Sequence, residues 1–469
     1  MGQLYRTKDI CYLRDMSHES EDRLAALARS VGQRALAQGA DVAEASARGG
    51  FELSVKVRLG KPELVEEAGH HSVSLRVIRA GRVAATSTSD LTEAGIARCV
   101  EDALELVELS EVDTFAGPAD ASELTHPPFP DLELFDPAVA AIDGDEALAR
   151  ALAGERAALD FDPRIELSEG ATFARADSVG ALWLSTGFEG VQRGSYASLN
   201  VVPVASDDGG KKRRGYYWTG ARFVDKLEDA AAVGREAARR TLGKLGARKV
   251  PTAEAPIVFD PDVARSLLGS FAGCIMGGSI WRKASYLLER ENTPVASPLV
   301  HITDDPLIAR APGSRAYDGE GLASRRNVVV DGGVLRTFLL DCYSARKLGR
   351  KSTGSASRGG GSVGASTTNF VLAAGTTSPE EIIASTERGL YVTELLGFGF
   401  NPVTGDFSRG AAGFWIENGK RTFPVSEVTI SSTLDAMLKG IDAVGSDLEL
   451  KTSTAAPTLR VAKMTISGA

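Results

Sequence analysis

Imidazole and thiol are both scarce in this chain: 469 residues contain five histidines and four cysteines. His18, His70, His71, His126 and His301 never form H-x-x-x-H, so no helix carries the two-imidazole spacing of a common zinc site. Cys11, Cys99, Cys274 and Cys342 lie far apart without a C-x-x-C pair. That excludes a zinc ribbon, argues against a disulfide framework and fits a reducing compartment. There is no basic excess either. The net charge of -9 speaks against a dedicated nucleic-acid binder, and the one basic run, Lys211–Arg214, follows a turn-like Asp-Asp-Gly-Gly and reads as a solvated hairpin end. No apolar run reaches the ~18 residues that would span a membrane. Arg6, Lys8, Arg14 and Asp15 interrupt the first residues, which do not read as a signal peptide. A cytoplasmic protein is expected, with residues 1–16 as a disordered extension. The Gly-rich stretch Gly354–Ser366 lacks the G-K-[ST] ending of a phosphate loop and reads as a mobile flap. No G-x-S-x-G elbow occurs.

What is present is ordinary globular material: 43% apolar and 25% charged residues, with 50 glycines that imply many turns. The length exceeds one core's usual capacity, so two or three domains are expected. Apolar residues at Leu24, Leu27, Ala28, Val31 and Ala35 predict a helix over 17–38, capped from Ser17 or Ser20. Short strands follow at 43–47, 51–59, 64–67, 73–78 and 83–87, separated by Gly49-Gly50, Gly60, Gly69 and Gly81. A second helix fits 92–107. After a Pro- and Asp-rich linker over 116–137, the order helix, strands, helix repeats, with helices at 145–159 and 226–245. Beyond 250 a helix over 262–274 precedes mostly short strands, with brief helices near 344–348, 379–386 and 434–438. The fold class is therefore α+β: N-terminal α/β lobes with meander sheets over 17–115 and 138–250, then a strand-rich C-terminal domain over 251–469.

That C-terminal half contains YDGEGLASRR (317–326), LLDCYSARKLGRKSTG (339–354), VTELLGFGFNPVTGDFSRGAAGFWIENG (392–419), PVSEVTI (424–430) and APTLRVAKMTISG (456–468). In wording and order these phrases resemble the TldD/PmbA family, specifically its TldE (PmbA) branch. In the TldD branch a helix carries His-Glu-x-x-x-His, and a cysteine shortly before the PTLRV phrase supplies a third zinc ligand. Such a set leaves one position for a water that the glutamate can deprotonate. On the matching stretch here, Gly269 replaces the first histidine, Ser270 the glutamate and Cys274 the second histidine. Thr452–Ala456 contains no cysteine. One soft donor does not make a site.

The resemblance implies a non-catalytic subunit that binds no cofactor itself. Its expected partner is a TldD-like zinc-bearing chain, in a heterodimer that cleaves unfolded or extended peptides such as peptide antibiotic precursors and antitoxins. A metal-free homodimer acting as a peptide-binding scaffold is the alternative. A self-contained Cys/Ser hydrolase built on Cys274, Ser270 or Cys342 is a further one, without a histidine tied to any of them. Neither nucleic acid nor membrane is an expected partner, and the family's older label as a gyrase modulator finds no support in the acidic balance. Extended peptides are commonly held by strand addition to a sheet edge. Asp318, Glu320, Arg325, Glu394, Asp406 and Arg409 are candidates for a peptide groove or interface; turn chemistry at Asp318-Gly319 and Gly405-Asp406 competes with that role. Phe398, Phe400, Phe407, Phe414 and Trp415 read as core or interface. His301 beside Asp304 and Asp305 reads as a strand end entering an Asp-Asp-Pro turn.

Overall fold

The computed structural model describes residues 21–468. The expected extension over 1–16, the two serine caps, Cys11 and His18 lie outside the described residues. The N-terminal half is organised on one seven-stranded sheet. Strands β1 (Val42–Arg58), β2 (Lys61–Arg79) and β3 (Arg82–Thr88) form an antiparallel meander. β1 also pairs with β4 (Leu167–Leu184), which pairs with β5 (Phe188–Ser206). β6 (Lys212–Arg214) and β7 (Tyr217–Ala221) lie one after the other along the far side of β5. The two expected N-terminal lobes thus share a sheet, through strands within 42–88 and 167–221.

The short strands expected at 43–47 and 51–59 are one long strand, and so are those at 64–67 and 73–78. Gly50 does not break the chain: a Cβ there would lie 2.7 Å from the Asp177 carbonyl oxygen, so glycine serves close strand approach. Alternation then runs the length of β1. Ala43, Ala45 and Ala47 are buried beneath helices α1 (Glu21–Ala37) and α2 (Glu93–Leu109). Phe51, Leu53, Val55 and Val57 continue the same face beneath α3 (Gly144–Leu159) and α4 (Ala230–Leu242). Side-chain caps fix three of these starts: Thr92 accepts from the Gly95 amide, Asp143 from Glu146 and Asp229 from Ala232. The Asp229 cap and a 3₁₀ turn at Val224–Lys226 shorten α4 relative to the expected 226–245.

In the C-terminal domain β8 (Ala253–Phe259) leads directly into helix α5 (Pro261–Ile275). β8 lies between β9 (Arg388–Leu396) and β13 (Leu459–Ser467). β10 (Asp406–Glu417) and β11 (Lys420–Thr433) follow β9, and β11 also pairs with β13, closing the sheet on itself; β12 (Ile441–Val444) flanks β13. A five-stranded sheet ends at the edge strand Thr454–Ala455. The stretch expected as a mobile flap is a hairpin, Ala356–Gly359 with Ser362–Ala365, anchored through Arg358. Among the described residues no helix is long and apolar enough to cross a membrane.

Candidate functional site

Helix α5 starts where Asp260 caps the Asp262 amide and Pro261 occupies the first turn, whose missing N–H costs nothing there. Val263, Leu267, Leu268, Phe271, Cys274 and Ile275 recur at helical spacing and are buried in the C-terminal core. The opposite face carries Ser266, Gly269 and Gly273, all exposed, with Ser270 half-buried beside them. Positions 269 and 274 therefore point apart, by about 140° on a regular helix. Gly269 offers no donor. The Ser270 hydroxyl donates to the Ser266 carbonyl at 3.2 Å. The Cys274 thiol leans on the Ser270 carbonyl at 3.4 Å, and burial pushes its pKa up to about 12. These residues do not fit zinc: the one thiol is turned into the core and held protonated. Among the described residues no group of three or more His, Cys, Asp and Glu side chains is arranged to hold a metal ion.

The six candidate residues are not brought together. Asp318 is buried and accepts from the amides of Glu320, Leu322 and Ala356, and burial raises its pKa. Glu320 is buried as well. It accepts from the Cys342 amide at 2.8 Å, and desolvation followed by repulsion from Asp318 lifts it to about 7. Both carboxyls tie loops together, and Glu320 also lines a cleft of about 910 Å³ with Asp341, Tyr343 and Lys347. Arg325 is exposed and donates to the Ser352 carbonyl. Asp406 closes a turn through the Thr404 hydroxyl at 2.5 Å. Glu394 pairs with Lys244 at 2.7 Å. Arg409 alone reaches α5, donating to the Ser266 hydroxyl at 3.2 Å while its buried Nε has no partner among the described residues.

The remaining nucleophile candidates are unsuited to attack. Burial, then the Glu320 carboxyl, raises the Cys342 thiol well above its ordinary value. His301 faces Asp331 at 3.1 Å, away from either cysteine's hydrogen-bond partners, while Asp304 accepts from the Thr368 amide. Of the flagged aromatics, Phe407 and Trp415 are buried core, whereas Phe398 is fully exposed at 107%.

A cleft of about 720 Å³ opens at the N-terminal end of α5 and was not anticipated from the sequence. Tyr216, Tyr217 and Trp218 line one side; Thr452–Ala456, the stretch that would have held the third ligand, lines another. On one wall the Tyr391 hydroxyl donates to Asp260 at 3.1 Å, and burial raises the Asp260 pKa. Lys451 donates to Tyr217 and Glu228, each at 3.0 Å, and these bonds outweigh desolvation to raise its pKa. Arg421 stands over the rings of Tyr391 and Phe414, at 5.2 and 5.8 Å. The local signal for this cleft was the run Tyr216-Tyr217-Trp218. Its other walls come from α4, the start of α5 and segments beyond residue 378, which carry no common motif.

Three domain profiles of the PmbA/TldA metallopeptidases match the chain: domain 1 over residues 43–107, the central domain over 137–245 and the C-terminal domain over 252–468. The chain is 36% identical to the Metalloprotease PmbA of Escherichia coli O157:H7, covering 92% of each. It is 29% identical to a Metalloprotease TldD homolog of Haemophilus influenzae, over 57% of this chain and 61% of that one. A crystal structure from Bacteroides thetaiotaomicron described as a modulator of DNA gyrase superposes with a TM-score of 0.89 at 28% identity, covering 96% of this chain and all (100%) of that one. TldE from Thermococcus kodakarensis shares the fold, with a TM-score of 0.83 at 19% identity over 94% of this chain and 100% of that one. By the three domain matches and the full-length PmbA similarity, this chain belongs to the PmbA/TldD family, on its PmbA (TldE) branch.

Proposed function

We propose that the chain is the non-catalytic, zinc-free subunit of a two-chain metallopeptidase of the TldD/TldE type, whose zinc resides in a TldD-like partner and whose substrates are extended peptides. The observation that carries this reading is the α5 donor set: a glycine, a serine bonded to its own helix and a core-facing protonated thiol. Two further features favour a partner on this face. A Cβ at Gly269 or Gly273 would meet nothing within 4 Å, so this chain's own packing does not ask for glycine. Each nonetheless costs roughly 1 kcal/mol against alanine inside a helix. Close approach by another chain gives the small residues a use. Nearby, Arg409 links α5 to β10, and the end of β9 with the loop that follows exposes Leu396, Phe398 and Val403, an apolar group suited to burial in an assembly.

A second copy of the chain could cover the same face, so assembly state and metal content are measured together. Native mass is recorded for the chain alone and mixed with a TldD-type chain, each with zinc. The expected result is no zinc on the chain alone, and chelator-sensitive peptide hydrolysis only in the mixture. Stoichiometric zinc and chelator-sensitive hydrolysis by the chain alone would overturn the proposal. A homodimer that never binds the TldD-type chain would establish the scaffold alternative.

A further inference from the structure

A pocket of about 400 Å³ lies apart from the cleft at the head of α5 and shares no lining residue with it. Its walls are the linker at 129–135, residues 191–193 of β5, Phe223, and Ala316 and Tyr317 of the C-terminal domain. The linker is fastened on both sides. The Ser195 amide donates to the Leu134 carbonyl at 3.0 Å, and the Arg310 amide to the Leu132 carbonyl at 2.8 Å. This stretch of β5 is therefore already covered by the chain itself, and recognition in the pocket falls to side chains. Four of these are aromatic, Phe129, Phe135, Phe223 and Tyr317, and the rings of Phe129 and Tyr317 lie 4.9 Å apart.

One cation stands among them. Arg193 is half-buried, with its guanidinium carbon 3.6 Å from the centre of the Phe135 ring. Among the described residues this guanidinium has neither a hydrogen-bond nor an ion-pair partner, and its Nε is shut off from solvent. The carboxylates of the lining do not serve it: Glu133 pairs with Arg310, and the exposed Asp131 accepts from the Glu133 amide at 2.9 Å. Tyr317, 8% exposed, lines the pocket as well, and its buried hydroxyl is likewise unpartnered among the described residues. Buried donors without acceptors are costly to a fold, and two of them at one pocket point to a ligand that brings acceptors.

We infer that this pocket binds a small aromatic carboxylate, with its ring among Phe129, Phe223 and Tyr317 and its carboxylate on Arg193. A guanidinium held over a ring keeps its N–H edge free, and that edge matches a carboxylate as a fork. The volume lies near the lower end of the ~300–1,000 Å³ of small-molecule pockets, room for one ring and a short acid rather than for a nucleotide. A single unpaired cation suits a monoanion, whereas a second negative charge would meet Asp131. The inference adds a ligand to this chain and does not rest on the subunit reading above.

The test uses the full chain alone, with 4-fluorophenylacetate as the probe and fluorine NMR as the readout. The acid should bind saturably. Its neutral amide, 4-fluorophenylacetamide, should bind about tenfold or more weakly, because it keeps the ring and loses the charge. Cyclohexylacetate, which keeps the charge and loses the aromatic ring, should displace the probe less well than phenylacetate does. Arg193→Gln should lower the acid to the affinity of the amide with the melting temperature unchanged, and Arg193→Lys should fall between the two. Equal affinity for acid and amide, equal displacement by cyclohexylacetate, undiminished binding by Arg193→Gln, or no binding of the acid by the folded chain overturns the inference. The comparisons among ligands use only the parent chain, so they decide the matter even where a variant fails to fold.

Discussion

Arg358 and Glu44, 314 residues apart, form a buried ion pair of 2.5 Å that fastens the hairpin at 356–365 to the N-terminal sheet. Arg76 donates to the other Glu44 oxygen at 2.8 Å. Burial alone would raise the Glu44 pKa, but the two guanidiniums hold it below the usual range. A depressed carboxylate stabilises the fold above its unfolded pKa, and that contribution disappears as pH falls through the folded value. Arg358→Met should cost about 3 kcal/mol, since it strands part of a buried charge. It should also flatten the loss of stability below pH ~4.5 and open Gly359–Gly361 to protease. An unchanged melting temperature with an intact hairpin would refute this.

Glu320 has the opposite sign. Its folded pKa of about 7 stands above the ordinary 4.5, so its contribution is complete below pH 4.5 and is lost as pH rises to about 7. Glu320→Gln keeps an acceptor for the Cys342 amide and removes the buried charge. The variant should exceed the parent by about 2–3 kcal/mol at pH 8 and match it near pH 4 in denaturant titrations. Equal pH profiles would show that Glu320 ionises without penalty.

Cys274 should resist alkylation by iodoacetamide at pH 8 in the folded chain, because its thiol, with a pKa of about 12, is almost wholly protonated there. Cys274→Ala should lose about 1 kcal/mol of stability through the small cavity and leave the reconstituted pair's peptidase activity intact. Loss of activity with the fold retained would instead identify a catalytic thiol.

Restoring the TldD-type letters should not restore a zinc site. The triple variant Gly269→His, Ser270→Glu, Cys274→His would still lack the third donor, and its second imidazole would have to fit where the smaller Cys274 has no exposed surface. No third donor lies in Thr452–Ala456. Elemental analysis after dialysis should find well under one zinc per chain; a full equivalent would mean that α5 rotates or unwinds on binding metal.

Local chemistry made much of the fold readable. The helix expected from residue 92 starts there because the Thr92 side chain caps the Gly95 amide, an interaction that acts within three residues. Gly50 misled because a glycine that allows close strand approach has the same letter as one that makes a turn. Asp318 and Glu320 serve as buried acceptors for backbone amides, a surrounding that the sequence does not show because a carboxyl's letter says nothing of what packs around it.

By itself the sequence determined the family, the α+β alternation and the missing donors at 269, 270 and 452–456, because these depend on residue identity and short-range periodicity. Only the tertiary structure decided that Cys274 faces the core, that the two N-terminal lobes share one sheet and that Tyr217, Trp218 and Thr454–Ala455 line one cleft. Those relations depend on which distant surfaces pack together, and long-range packing leaves no periodic signal along the chain.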